Sequence, residues 1–329
     1  MRVRSGAAGS RIIGLGHAQP ERVVGNDEIA RLVDTSDEWI RARTGIITRH
    51  LIGDGESVES LATDAARMAL RDARAEAHTV DLIVVATMTT TDRSPNIAGR
   101  VATALGHPGT PVLEVNTACS GFTYALALAD QAIRTGTATR ALVIGSEAMS
   151  QVTDWTDRTT CILTGDGAGA VLIEAAETPG ISSVVWGSVP DMDQAVRIEG
   201  PQPTFAQEGR AVFRWAITEA HKHARAVVAE AGLTLDDIDV FAFHQANIRI
   251  IQPIAEQLGA TPNQVVITDV VDSGNTSAAS IPLGLSKWWH AGRLPAGGTT
   301  LFLGFGGGFT YAGQLALLPE QRRPLSDDA

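Results

Sequence analysis

Two thiols, Cys119 and Cys161, are all that this chain of 329 residues has, so no disulfide framework staples it and a reducing, cytoplasmic setting is expected. Basic residues are scarce relative to acidic ones, 26 against 37. The resulting net charge of −11 excludes general binding to nucleic acid or to anionic membranes, and any acidic partner has to meet a local basic patch. No apolar run is long enough to cross a bilayer. The first ten residues carry Gly, Ala and Ser where a signal peptide needs an apolar stretch, and 1–10 reads as a disordered tail. Metal-ligand patterns are also missing. Of eight histidines only His221 and His223 lie close together, and on a helix that spacing turns them to different faces, so no metal is expected. What remains is 44% hydrophobic residues in a chain long enough for a large core.

Those hydrophobic residues alternate between short β-branched runs and longer Ala-rich amphipathic runs, the pattern of an α/β fold. Two stretches follow one order. In the first, the strand Asp81–Ala86, a helix ending near Leu105, the strand Pro111–Val115, Cys119, a helix closing on Gly136 and the strand Ala141–Gly145 succeed one another. The second runs through Asp239–Phe243, a helix ending at Leu258, Val265–Thr268, Asn275, a helix closing on Gly292 and Thr299–Leu303. From Cys119 to Gly136 is 17 positions, as it is from Asn275 to Gly292. This match predicts two duplicated halves, 11–175 and 176–329, with Cys119 and Asn275 at equivalent helix starts that both contribute to one site.

A cysteine at a helix N-terminus among small residues (Ala118, Ser120, Gly121) is favoured as thiolate and open to a substrate. A lone buried cysteine is more often inert. His244 ends an apolar strand, where α/β folds place polar chemistry, although a structural histidine fits there too. Asn275 alone reads as a helix cap. The glycine runs are not nucleotide loops. Gly304–Phe309 is followed by a strand-like stretch where a fingerprint needs a helix, and reads as a tight turn. Gly165–Ala170 reads as a close-packed turn between the halves, and Cys161 as core.

Taken together, Thr35–Ile40 with Arg43–Gly45, Thr117–Phe122, Asp157-Arg158, His244–Asn247, the GNTSAAS stretch from Gly274 and the FGGGF stretch from Phe305 resemble the ketosynthase III enzymes of the thiolase superfamily over nearly the whole chain. The resemblance implies a five-layered αβαβα thiolase-like fold, a homodimer, and a catalytic triad of Cys119, His244 and Asn275. It implies a ping-pong reaction. An acyl-coenzyme A (acyl-CoA) primer would acylate Cys119, with the oxyanion on the N–H groups of Cys119 and Gly306. Malonyl-acyl carrier protein would then lose carbon dioxide, and a β-ketoacyl thioester would form to start fatty acid or polyketide synthesis. Coenzyme A is a substrate here, and no cofactor is implied.

By the same resemblance Trp39, Arg43 and Arg158 would hold the adenine, Asn247 the pantetheine arm, and Arg210, Arg214 and Arg249 the acidic carrier protein. Glu256 and Gln257 stand where the family often has docking lysines. Ser94 stands where short-primer relatives carry a bulky aromatic, which would leave a longer acyl pocket. A papain-like protease is disfavoured because its cysteine motif is missing, and a biosynthetic thiolase because the C-terminal glycine loop has no second cysteine. The remaining rivals are a non-catalytic binding protein and a ketosynthase-like acyltransferase that moves the acyl group from Cys119 to an alcohol or amine. Asn275, which only an enolate needs, favours condensation.

Overall fold

The computed structural model describes residues 4–92, 94–199 and 203–322. Its strands are β1 (Gly9–Ala18), β2 (Val23–Gly25), β3 (Thr48–His50), β4 (Leu82–Ala86), β5 (Val112–Val115), β6 (Arg140–Ala148), β7 (Asp166–Ala176), β8 (Val185–Ser188), β9 (Val196–Glu199), β10 (Thr204–Gln207), β11 (Val240–Phe243), β12 (Val265–Val266), β13 (Thr299–Gly306) and β14 (Thr310–Leu317). The helices are α1 (Asn26–Ile29), α2 (Asp37–Thr44), α3 (Val58–Ala73), α4 (Ile97–Ala104), α5 (Gly121–Arg134), α6 (Gly209–Glu230), α7 (Ile248–Leu258), α8 (Val270–Ser273) and α9 (Ser280–His290).

Two five-stranded sheets share one topology. The first runs β1-β7-β6-β4-β5, the second β8-β14-β13-β11-β12, and in each the last three strands are parallel and the first two antiparallel. Strand periodicity explains the layers, because successive side chains leave opposite faces of a sheet. On β4, Ile83 and Val85 pack outward on α3 and α4, while Val84 and Ala86 join the central layer with Phe122 of α5 and Trp289 of α9. On β11, Val240 and Ala242 enter that same layer, while Phe241 and Phe243 pack outward against α6 and α7. The order is therefore α3/α4, sheet, α5/α9, sheet, α6/α7, the five-layered αβαβα arrangement. Both faces of both sheets are covered, which is why these strands read as unbroken apolar runs.

The duplication is real, but its register differs from the expected one. Short 3-10 turns, Ala118–Ser120 and Ser277–Ala279, lead into α5 and α9, and their first residues, Ala118 and Ser277, have φ of 47° and 46°. Ahead of each stands an asparagine whose Oδ1 accepts from the first turn residue, Asn116 from Ala118 N–H (3.4 Å) and Asn275 from Ser277 N–H (2.9 Å). Asn275 is thus the counterpart of Asn116, and Cys119 is the counterpart of Ala278. Counting positions to the closing glycine misleads because α5 has 14 residues and α9 only 11.

Two other expectations are corrected. Of the expected tail, Gly9 and Ser10 already pair with β7, and the Ser10 hydroxyl donates to buried Asp130 at 2.7 Å, while 1–3 lie outside the described residues. From Asp166 on, the Gly165–Ala170 segment is the start of β7 rather than a turn, and Gly167 and Gly169 admit α9. A Cβ on Gly169 would lie 2.1 Å from Leu283 N, and one on Gly145 of neighbouring β6 2.3 Å from Ala278 O in the turn before α9. Gly169→Ala is accordingly expected to destabilise by about 3 kcal/mol or more through overpacking. Gly109→Ala, at an exposed position with nothing near its Cβ, should stay within about 0.5 kcal/mol. Equal midpoints in denaturant titrations of the two variants would refute the close approach of α9 to β7.

Candidate active site

A cavity of about 610 Å³ has Cys119, His244 and Asn275 in its lining, together with the apolar walls Phe305, Val196 and Phe205. Three different elements deliver the three polar side chains. Cys119 sits on the turn before α5, His244 follows β11, and Asn275 precedes the turn into α9. All three are nearly inaccessible, at 7%, 3% and 9%. The turns approach closely because the residues between them are small. A Cβ on Gly121 would already touch those of Ala86 and Ala278.

Burial dominates the electrostatics. It pushes the Cys119 thiol up to about 11, against the pull of the Ser277 hydroxyl and of the N–H groups of Gly307 and Cys119 itself, while nearby Glu147 adds to the rise. The resting group is therefore a thiol, not the thiolate that a helix start alone suggests, because the cavity removes the water that would solvate the charge. Burial also lowers His244 to about 3, so its imidazole is neutral. Its Nδ1 lies 2.8 Å from Ser280 Oγ, and its ring stands edge-on to Phe305 at 5.8 Å.

Asn275 is clamped through its backbone. Its N–H donates to Leu163 O at 2.8 Å, and its carbonyl accepts from Gly165 N–H at 3.1 Å. Only Oδ1 can accept from Ser277 N–H, which leaves Nδ2, a donor, as the free end of the side chain. The site thus presents a thiol, a neutral histidine and an amide donor.

The glycine loop corrects one assignment. The amide turned to the sulfur belongs to Gly307, not Gly306. Gly306 serves by lacking a side chain, since a Cβ there would come within 2.7 Å of Cys119 Cβ and 2.9 Å of Sγ. Ser277, Ser280 and Glu147 escaped notice in the sequence. Only the correct register of the duplication, which makes Ala278 the counterpart of Cys119, would have drawn attention to their neighbourhood.

The remaining expected residues fall into two groups. Trp39, Arg43, Arg158, Asn247, Arg210 and Arg249 share the cavity with Cys119. The guanidinium groups of Arg43 and Arg158 lie 5.2 and 5.0 Å from the Trp39 ring, and Asn247 caps α7 while donating to Arg43 O. Arg214 lies outside the cavity, one turn beyond Arg210 on exposed α6 surface. Ser94 is not brought to the site. It is exposed on the loop between β4 and α4 and does not line this chain's cavity, because that loop runs out beside the starts of α3 and α4; Arg93 lies outside the described residues. Cys161 is fully buried in the core beneath α6 and α7.

The raised thiol has a measurable consequence. Iodoacetamide alkylation of Cys119 should accelerate about tenfold per pH unit and show no plateau below about pH 9, as expected when thiolate is a minor species. A plateau near neutral pH would mean a preformed thiolate.

Family models for 3-oxoacyl-[acyl-carrier-protein (ACP)] synthase III match residues 113–190, and for the C-terminal part of the same enzymes residues 228–317. β-Ketoacyl-[acyl-carrier-protein] synthase III 4 of Streptomyces coelicolor is 54% identical, over 94% of this chain and 99% of its own. The Neisseria gonorrhoeae synthase III is 43% identical, over 93% and 98%. The crystal structure of a priming β-ketosynthase from a polyketide biosynthetic pathway superposes with a TM-score of 0.94 at 37% identity, covering 97% of this chain and 98% of that one. With its duplicated sheets and its buried cysteine, histidine and asparagine in one cavity, this chain belongs to the β-ketoacyl-[acyl-carrier-protein] synthase III family.

Proposed function

We infer that this chain is an acyltransferase that condenses an acyl-CoA primer with malonyl-acyl carrier protein, releasing carbon dioxide and giving a β-ketoacyl thioester that begins a fatty acid or polyketide chain. The observation that carries the reading is the pairing of one thiol with two neutral hydrogen-bond groups, His244 and Asn275, in a single buried cavity. In the first half-reaction the Cys119 sulfur attacks the primer carbonyl. The N–H groups of Cys119 and Gly307 hold the oxyanion, and coenzyme A leaves as a thiol with the proton Cys119 gives up. In the second, His244 and Asn275 donate to the malonyl thioester oxygen as the bond to the carboxylate breaks. The enolate carbon then attacks the acyl-cysteine carbonyl and expels the Cys119 thiolate, which takes a proton from solvent. Donors placed where charge develops lower that barrier without a base. Transfer of the acyl group to an alcohol or amine needs a base poised near the working pH. His244, depressed to about 3 by burial, is a poor one.

Trp39 with Arg43 and Arg158 forms a cation-and-aromatic platform suited to the adenine, and Asn247 stands beside it for the pantetheine arm. Arg210, Arg214 and Arg249, all exposed, supply the local basic patch that an acidic carrier needs on a protein of this charge. Ser94 has no place in this chain's own acyl pocket, whose apolar walls are Val196, Phe205 and Phe305. Among the described residues β5 is an edge strand with Leu113 41% exposed, and pairing of two copies along that edge would make the homodimer. The chemistry uses coenzyme A as a substrate and calls for no cofactor. Both cysteines are free, as suits a cytoplasmic enzyme, and no helix among the described residues is long and apolar enough to cross a membrane.

Asn275→Ala should cut carbon dioxide release from malonyl-acyl carrier protein about a hundredfold or more, the scale of a lost oxyanion donor, while Cys119 acylation, followed by mass spectrometry, falls much less. Equal loss of both half-reactions would make Asn275 purely structural. Arg249→Glu should raise KM for the carrier-bound substrate far more than for acyl-CoA, with the contrast shrinking at high salt. If both substrates suffer alike, Arg249 is not a docking residue.

A further inference from the structure

A neutral histidine has one donor nitrogen and one acceptor nitrogen, and the partner of one decides the role of the other. His244 can serve an enolate oxygen only if the nitrogen facing the cavity carries the proton. Its other nitrogen, Nδ1, meets Ser280 Oγ at 2.8 Å, with both side chains buried at 3% and 1%. Ser280 Oγ also accepts from the backbone N–H of Gln245 at 3.2 Å. Among the described residues its hydroxyl has no other partner. The proton count then closes in one way. The oxygen has a second lone pair that could accept from Nδ1–H, but that would leave the buried hydroxyl hydrogen without an acceptor among the described residues; donated to His244 Nδ1, it leaves every group paired. Nδ1 is therefore bare, and the histidine proton resides on Nε2.

We propose that Ser280 is a positioning residue that sets the tautomer of His244, turning Nε2–H toward the substrate as a hydrogen-bond donor. The assignment rests on the reading of His244 as a donor to the enolate. Its frame is rigid. Ser280 is the first residue of α9, and the Gln245 side chain donates to Phe243 O (2.7 Å) and Ile267 O (3.1 Å) while accepting from Val270 N–H (3.2 Å). The strand end that carries His244 and the helix that carries Ser280 are thereby held in one register, and the imidazole has no freedom to exchange nitrogens. Charge plays no part in this hydrogen bond, because burial keeps the ring neutral. The hydroxyl does for this donor histidine what a buried carboxylate does for a histidine that must act as a base, with the opposite tautomer as the result.

The test uses full-length enzyme labelled with 15N-histidine, with two-bond proton–nitrogen correlations that distinguish the tautomers and with the His244 signals identified by their loss in His244→Ala. The wild type should show His244 protonated on Nε2. Ser280→Ala should shift it partly or wholly to Nδ1–H and slow carbon dioxide release from malonyl-acyl carrier protein about ten- to a hundredfold, the effect of an ill-set general acid or donor. Acylation of Cys119 should fall far less. Ser280→Cys, close in volume with a weaker donor, should lie between. A wild-type His244 protonated on Nδ1 overturns the proposal, as does a Ser280→Ala enzyme with unchanged tautomer and decarboxylation. If Ser280→Ala does not fold, the wild-type spectrum decides alone. If His244→Ala decarboxylates normally, the donor role of His244 falls, while the tautomer assignment is judged separately by the spectra.

Discussion

Two helix starts bring Cys119 and Asn275 to one cavity, and one buried carboxylate ties them together. Glu147, at the end of β6 and wholly inaccessible, accepts from the hydroxyls of Thr87 (3.0 Å) and Thr89 (2.6 Å), from Met88 N–H and from Ala278 N–H. Three of those donors follow β4 in the first half, and the fourth lies in the second half, at the residue that answers to Cys119. Such a carboxyl is tolerated inside a protein only when its oxygens are satisfied. Burial lifts it to about 7 while the four donors pull it back. Met88 in turn takes a contact from the Ser277 hydroxyl, the same hydroxyl that faces the Cys119 sulfur. Displacing Glu147 would disturb Cys119 and the asparagine turn together.

The same burial that makes Glu147 demanding sets the chemistry of its neighbours. An acid and a base lose their charges in opposite directions when water is withdrawn: the thiol rises to about 11 and the imidazole falls to about 3. The cavity is thus lined by uncharged donors, with positive charge confined to its arginine-bearing periphery. That division suits a reaction whose developing charge is an oxyanion and then an enolate, both met by N–H groups already in place. The cationic residues around Trp39 and on α6 and α7 remain in contact with solvent, where they can attract anionic substrates without bringing a full charge beside the nucleophile.

Sequence alone determined the α/β class and the candidacy of Cys119 and His244, because each rests on local properties, whereas Asn275, a helix cap by itself, was singled out only through the repeat of the two halves and the family resemblance. Apolar runs such as Leu82–Ala86 and Val240–Phe243 specify buried strands, and small residues around Cys119 and the polar emergence of His244 are visible one segment at a time. The register of the duplication was not legible, since α9 is shorter than α5 and the closing glycine is a poor anchor. Tertiary structure alone decided that Cys119 rests as a thiol, that Gly307 rather than Gly306 turns its amide to the sulfur, that Ser94 stands away from the cavity, and that Ser280 meets His244. Each of these depends on what another part of the chain, up to 189 positions away in the Met88–Ser277 contact, places beside the residue. Desolvation and hydrogen-bond direction are properties of that assembled neighbourhood, and no spacing along the chain encodes them.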